Sequence, residues 1–222
     1  MAFIASFDRE ILAFYHSLAE KNGDFFTPVA KFFSFIGEKG LWMIILAVVL
    51  MCFAKTRKTG VCLFGAVGCG ALITNFILKD LVGRARPFMN ELSEFRDWWL
   101  SVGSPQEDEF SFPSGHATAA AAGILALALI WNYRVLWAGI PYAAIMCASR
   151  NYLMVHYPTD VVCGVAVGVV SAFIAFGITK LIYNILEKYS EKAFCRWILQ
   201  DFDLILIAKK IKQKYNDRRT DK

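Results

Sequence analysis

Charge is scarce in this chain. Of its 222 residues, 19% are Asp, Glu, Lys or Arg, while 57% are hydrophobic. A soluble domain ordinarily carries about a quarter of its residues as charges, so the surface cannot be one built for water. The composition also excludes a disordered, collagen-like or low-complexity chain. No two of the six cysteines stand as a C-x-x-C pair, and five lie inside apolar runs. They read as small apolar residues rather than disulfides or metal ligands. The first residues lack the basic, apolar, small-residue order of a cleaved signal peptide, because Asp8, Arg9 and Glu10 interrupt them. Insertion is therefore expected to be directed by the spans themselves. What remains is a mean hydropathy of +0.44, which points to an integral membrane protein.

Five apolar runs stand out, at 41–54, 60–78, 117–131, 135–148 and 161–178. A spanning helix needs about 20 residues, so the flanks must complete several of them. The first is expected to reach back toward Phe32 and the fifth to continue toward Leu186. Gly65, Gly68, Gly70, Gly164 and Gly168 are expected to let helices approach closely in lipid. Ahead of the first run, Phe7, Ile11, Phe14 and Leu18 recur at helical spacing, as in an amphipathic helix lying in the interface. The expected fold is all-α: an integral-membrane helical bundle of five to six transmembrane helices plus that N-terminal amphipathic helix. The expected division is an interfacial segment 1–40, a transmembrane core 41–186 with an outer loop 79–115, and a basic C-terminal tail 187–222.

Charge sets the orientation. Lys55, Arg57, Lys58, Arg134 and the Lys-rich tail share one side. The other side holds the loop from Lys79 to Ser114, with four basic and seven acidic residues. The positive-inside rule makes the first side cytoplasmic and the long loop extracytoplasmic. Trp98 and Trp99 in that loop are expected at headgroup level as anchors.

The chain has only three histidines. His16, in the amphipathic segment, has no obvious partner. His116 opens the third run and His156 precedes the fifth. With helices alternating in direction, the ends carrying Lys79, His116, Arg150 and Asp160 fall on one face, joined by Arg86. Ionisable groups at that depth are costly and mark a site. Arg84 has a weaker claim, since it could simply face solvent.

The residue types fit a phosphate. Arg offers a planar donor fork and Lys a point charge. Ser114 and Gly115 stand where a helix begins, so free N–H groups form an anion site that glycine lets a ligand approach. Ser114 serves as the cap, as a phosphate donor, or both. Asp160 follows His156 by four residues, so one turn brings the carboxylate to the ring, where it sets the tautomer and raises basicity. That describes a nucleophile and its orienter, and leaves His116 as the general acid. Two histidines and an aspartate also suit zinc, but three neighbouring cations repel a divalent ion, so no metal and no cofactor are expected.

Lys79-x6-Arg86-Pro87, then Pro113-Ser114-Gly115-His116, then Ser149-Arg150-x5-His156-x3-Asp160 resemble the three-part signature of the type-2 phosphatidic-acid phosphatase superfamily, over residues 60–180. The resemblance implies a helical bundle with the motifs at one end and metal-independent chemistry. It implies His156 as the nucleophile that forms a phosphohistidine, and supplies that choice over His116. It implies His116 as the acid and later the base, with Asp160 supporting His156. Lys79, Arg86, Ser114, Gly115 and Arg150 then hold the phosphoryl group. The expected activity is a multi-pass cell-membrane lipid phosphatase, its site extracytoplasmic and its tail cytoplasmic. Its partners are a lipid phosphate and the bilayer, with no nucleic acid. Undecaprenyl pyrophosphate is favoured as substrate. Phosphatidylglycerophosphate, phosphatidic acid and lipid A are the alternatives, and a non-catalytic lipid-phosphate carrier is the rival from another class.

Overall fold

The computed structural model describes residues 2–89, 93–201, 203–206, 208–209 and 212–213, all helix, turn or loop. The chain opens with α1 (Ala2–Ile36), kinked at Asn22 and carrying Pro28. A turn through Gly40, in the left-handed conformation, leads into α2 (Leu41–Met51). Next come α3 (Arg57–Ala71), a π-helical stretch Leu72–Leu78, and α4 (Lys79–Val82), which stops at Gly83 with φ 59°. The long loop carries α5 (Glu94–Ser101). After it follow α6 (Gly115–Ile130), α7 (Val135–Tyr152), α8 (Pro158–Lys188) and the short α9 (Ala193–Arg196).

Helices α3, α6 and α8 pack on one another as a central trio, with α2 against α3 and α1 against α7. Their seam is built of small residues: Ala47, Ala66, Ala119, Ala122, Ala126, Ala172 and Ala175 are all buried in it. Close approach is tightest where α8 crosses α6. A Cβ on Gly164 or Gly168 would stand 2.5 Å from the carbonyl oxygen of Ser114 or Thr118. Gly68 has nothing within 4 Å, so it takes no part in this packing.

The outward faces are apolar. Phe64, Leu72, Phe76, Val170, Phe173 and Ile178 are exposed along α3, the π-helical stretch after it, and α8. Two helical segments, Arg57–Met89 and Pro158–Lys188, are long and apolar enough to cross a membrane; the pair Phe3–Ile36 and Leu41–Met51, bent by 44°, makes a third if it is one span. Among the described residues the five apolar runs do not each give a helix that is by itself long and apolar enough to cross a membrane. Helix α6 has 16 residues and α2 only 11.

Helix α1 differs from a helix that lies alone in an interface. It buries Asp8 and Leu12, with Tyr15 and Ala19 packed beside them. Phe7 and Phe14, from the expected stripe, face outward at 40% and 63% exposure. His16 does have partners: it stacks on Trp98 with ring centroids 4.6 Å apart and lies 3.5 Å from Glu20. Trp99 is not an exposed anchor. It is 6% exposed and stacked on Phe88. Its indole N–H donates to the Pro105 carbonyl at 3.1 Å, which pins the loop carrying the acidic residues.

At the opposite end of the bundle, Asp203 accepts from the Ala54 amide at 2.9 Å, and Arg57 donates to the Met51 and Ile198 carbonyls. The basic stretch 209–219 lies outside the described residues, apart from positions 209, 212 and 213.

Candidate active site

Most site residues stand where a helix starts or stops. Lys79 follows the π-helical stretch, a feature that often marks functional sites. Gly83 then turns the chain, so Arg84 and Arg86 enter as loop residues. His116 sits in the first turn of α6 and Arg150 in the last turn of α7. His156 and Asp160 flank the start of α8, where Pro158 suits the first helical position. The Ser114 amide donates to the Asp160 carbonyl at 3.0 Å, which ties the α6 and α8 starts together. Lys79, Arg86, Ser114, Gly115, His116, Arg150, His156 and Asp160 thus come to one end of the bundle.

Arg86 and Arg150 are 2% and 1% exposed. Charges buried to that degree need partners. Arg86 donates to the Glu109 carbonyl at 2.7 Å, to the Val155 carbonyl at 2.9 Å and to Glu107 at 3.3 Å. Arg150 donates to Ser34 and to the second oxygen of Glu107. Lys79 pairs with Glu109. Glu107 is thus a carboxylate held between two guanidinium groups, as a phosphoryl group would be. Burial pushes its carboxyl up, but Arg150 and Arg86 outweigh this and hold it at about 2.

His156 is 2% exposed. Its Nε2 lies 3.4 Å from Arg86 Nη1, and its Nδ1 lies 3.7 Å from Asp160 Oδ2. That second distance is an ion-pair separation, and Nδ1 makes no hydrogen bond among the described residues. Burial lowers the imidazole to about 4. Arg150 and Arg86 reinforce this and Asp160 opposes it. The ring is therefore neutral at neutral pH, with a lone pair to offer.

The Asp160 carboxylate, 0% exposed, is heavily engaged. It accepts from Arg84 at 2.6 Å, Ser111 Oγ at 2.5 Å and the Tyr157 amide at 2.9 Å. Arg84 accordingly does not simply face solvent. It bridges Asp160 and Asp8, at 2.6 and 2.7 Å, with its guanidinium 3.8 Å from the Tyr157 ring centroid.

A cavity of about 800 Å³ reaches both histidines and is lined by Lys79, Arg86, Gly115, His116 and His156 among others. Its inner wall includes the apolar Phe35, Val67, Ala71 and Ala119. His116 Nε2 lies 3.2 Å from the Ser34 carbonyl. Ser114 is fully buried and caps α6, its hydroxyl accepting from the Ala117 amide at 3.5 Å. No cluster of three His, Cys, Asp or Glu able to hold a metal occurs among the described residues.

The family model for the PAP2 superfamily matches residues 59–183. The chain belongs to the PAP2 superfamily. Among its PAP2 relatives is an undecaprenyl-diphosphatase from Sulfolobus acidocaldarius, 29% identical over 160 residues, covering 69% of this chain and 68% of the relative. A lipid A 4'-phosphatase from Bacteroides thetaiotaomicron is 30% identical over 175 residues, covering 75% and 74%. In fold, the chain resembles the crystal structure of Aquifex aeolicus LpxE, with a TM-score of 0.60 and 21% identity over 75% of this chain and 94% of that one. It also resembles the PAP2-type phosphatidylglycerolphosphate phosphatase of Bacillus subtilis, with a TM-score of 0.55 and 23% identity over 82% and 96%. The protein is a PAP2 phosphatase of the membrane.

Beyond the PAP2 signature, the structure brings in residues that sequence reasoning missed or discounted: Asp8, Ser34, Arg84, Glu107, Glu109 and Ser111. The signal for Glu107 and Glu109 was present, in an acidic triplet just ahead of the Pro113–His116 motif. For Asp8 the signal was weaker. It shares a helix face with Leu12 and Tyr15, but a single acid on that face carries no motif.

Proposed function

We propose that this protein hydrolyses a membrane lipid phosphate or pyrophosphate through a phosphohistidine on His156. The observation that carries the reading is Glu107, a carboxylate clasped by Arg86 and Arg150 beside the neutral His156 ring. A phosphoryl group that displaces Glu107 meets the same two forks, with Lys79 and the start of α6 adding positive charge. His156 Nε2 then attacks phosphorus. His116 protonates the departing oxygen, and afterwards takes a proton from the water that cleaves the phosphohistidine. Asp160, on the Nδ1 side, supports the imidazole as it becomes positive. No step requires a metal.

Undecaprenyl pyrophosphate is the substrate we favour, giving undecaprenyl phosphate and inorganic phosphate; the Sulfolobus relative's activity supports it. Lipid A is the second reading, supported by the Bacteroides relative. We further propose a multi-pass arrangement with the site on the extracytoplasmic face and the tail in the cytoplasm, from the charge asymmetry of the loops.

The test is phosphate release by the purified protein in detergent with EDTA, on undecaprenyl pyrophosphate, lipid A, phosphatidic acid and phosphatidylglycerophosphate. One lipid far ahead of the others is expected to be the substrate. His156→Ala is expected to abolish turnover and the acid-labile phosphoenzyme. Turnover close to wild type in that variant would falsify the nucleophile assignment.

A further inference from the structure

Asp8 is a buried acid on the N-terminal helix, outside every motif and outside the matched region of the family. It is 2% exposed, and both its oxygens are spent on the start of α8 and on Arg84. Oδ1 accepts from the Thr159 amide at 2.9 Å. Oδ2 accepts from the Thr159 hydroxyl at 2.8 Å and from Arg84 Nη2 at 2.7 Å. The Thr159 hydroxyl in turn accepts from Arg84 Nη1 at 2.8 Å. Asp8, Thr159 and Arg84 form a closed ring of hydrogen bonds whose third member also holds Asp160.

Charge gives the ring its meaning. Arg84 alone against Asp160 would neutralise the one carboxylate on the Nδ1 side of His156. With Asp8 present, two carboxylates share a single guanidinium, and the group keeps a net negative charge beside the imidazole. Asp8 also satisfies an amide in the first turn of α8 that has no partner within its own helix, where a negative charge is favourable.

We propose that Asp8 is a positioning residue of the active site: acting through Arg84, it keeps Asp160 placed and charged behind His156. The first helix would then be part of the catalytic machinery. This rests on the reading of His156 as nucleophile. The other groups around His156 and Asp160 are Arg86 and Glu107 from the long loop, His116 from α6, Arg150 from α7, and Tyr157 and Cys163 at the start of α8. Among the described residues, none of them is hydrogen-bonded or ion-paired to Asp8.

Asp8→Asn in the full chain is the test. The amide keeps the size and loses the charge, so Arg84 falls wholly on Asp160 and the field at His156 becomes more positive. We expect kcat to fall by about tenfold, the lower end of the range known for partners that orient metal-bound histidines, with KM little changed. The acid limb of the pH profile should move to lower pH, because the imidazole binds its proton less well. Asp8→Glu, which restores the charge, should recover most of kcat and return the limb.

Arg9→Ala serves as the docking control. Arg9, on the same turn of α1 as Asp8, pairs with Glu94 of α5 at 2.6 Å and not with Arg84. It should leave kcat and the limb in place. A wild-type kcat and unmoved limb in Asp8→Asn overturn the proposal while leaving the nucleophile reading intact. A kcat loss of the same size in Arg9→Ala reduces Asp8 to a docking contact and overturns it too. Should Asp8→Asn not fold, Asp8→Glu decides: a folded Glu variant with collapsed kcat and a shifted limb rules the proposal out, and one with both retained supports it. An active His156→Ala would instead remove the reading beneath it.

Discussion

Glu107 and His156 are opposites at the scale of the single residue. Both lie beside the same guanidinium groups, which keep Glu107 charged and reinforce the burial that keeps His156 neutral. Glu107→Gln removes the charge that competes with the substrate for Arg86 and Arg150. Its KM is expected to fall about fivefold, on the order of 1 kcal/mol, as read from initial rates on the preferred lipid. An unchanged or higher KM would mean that Glu107 does not stand in the phosphoryl position. Acid should also weaken the fold, in two stages. His156 is lowered to about 4 from its ordinary 6.5. Between those values the unfolded chain takes up the proton that the folded chain refuses, so stability drops as pH drops. Glu107 is lowered to about 2 from 4.5. Its contribution is whole above 4.5 and disappears as pH falls toward 2. The melting temperature in detergent should decline through both windows, and His156→Ala should remove part of the upper decline. An identical slope in that variant between pH 6.5 and 4 would refute the assignment.

Helix starts and stops decide the geometry at the scale of the element. The α6 start is pressed against α8 at Gly164, where a Cβ would meet the Ser114 carbonyl oxygen at 2.5 Å and the Ala117 Cβ at 3.1 Å. Gly164→Val should force the two helices apart, at about 1–3 kcal/mol for overpacking. It should lower activity as well as melting temperature, because Ser114 and His116 ride on that seam. Full activity in a destabilised variant would separate the seam from the site. This scale also shows what the sequence could reveal. The motif spacings placed Lys79, His116, Arg150, His156 and Asp160 on one set of helix ends by alternation alone, and they do meet. Arg84 was discounted because its partners come from α1 and α8, and no local pattern announces a contact across 76 residues. The apolar stripe of α1 was visible, yet its buried face is the one with Asp8 and Leu12. In lipid, an apolar stripe and a packed face need not coincide, since both lipid and protein accept Phe.

The whole molecule is sorted by charge: an acidic-rimmed cationic site at one end, and Arg57, Lys58 and Arg134 toward the other. The number of crossings was not legible from apolar runs, because α2 and α6 are too short to be judged one at a time. Orientation can be measured directly. In a background without native cysteines, Asp108→Cys at the cavity is expected to react with a membrane-impermeant maleimide on intact cells, and Lys55→Cys is not. The reverse labelling would turn the molecule over and place the chemistry in the cytoplasm.

The clasp on Glu107 has a consequence for the end of the catalytic cycle. Hydrolysis leaves a free phosphate ion among buried cations, a place it has little reason to leave. Glu107 and Glu109 belong to the same loop and cannot diffuse away, so their effective concentration at Arg86, Arg150 and Lys79 stays high. In the proposed cycle, each turnover would end with the tethered carboxylates returning to their arginines and lysine as the product departs. On that cycle the loop would work as a built-in eluent, and turnover is expected to tolerate phosphate in the surroundings.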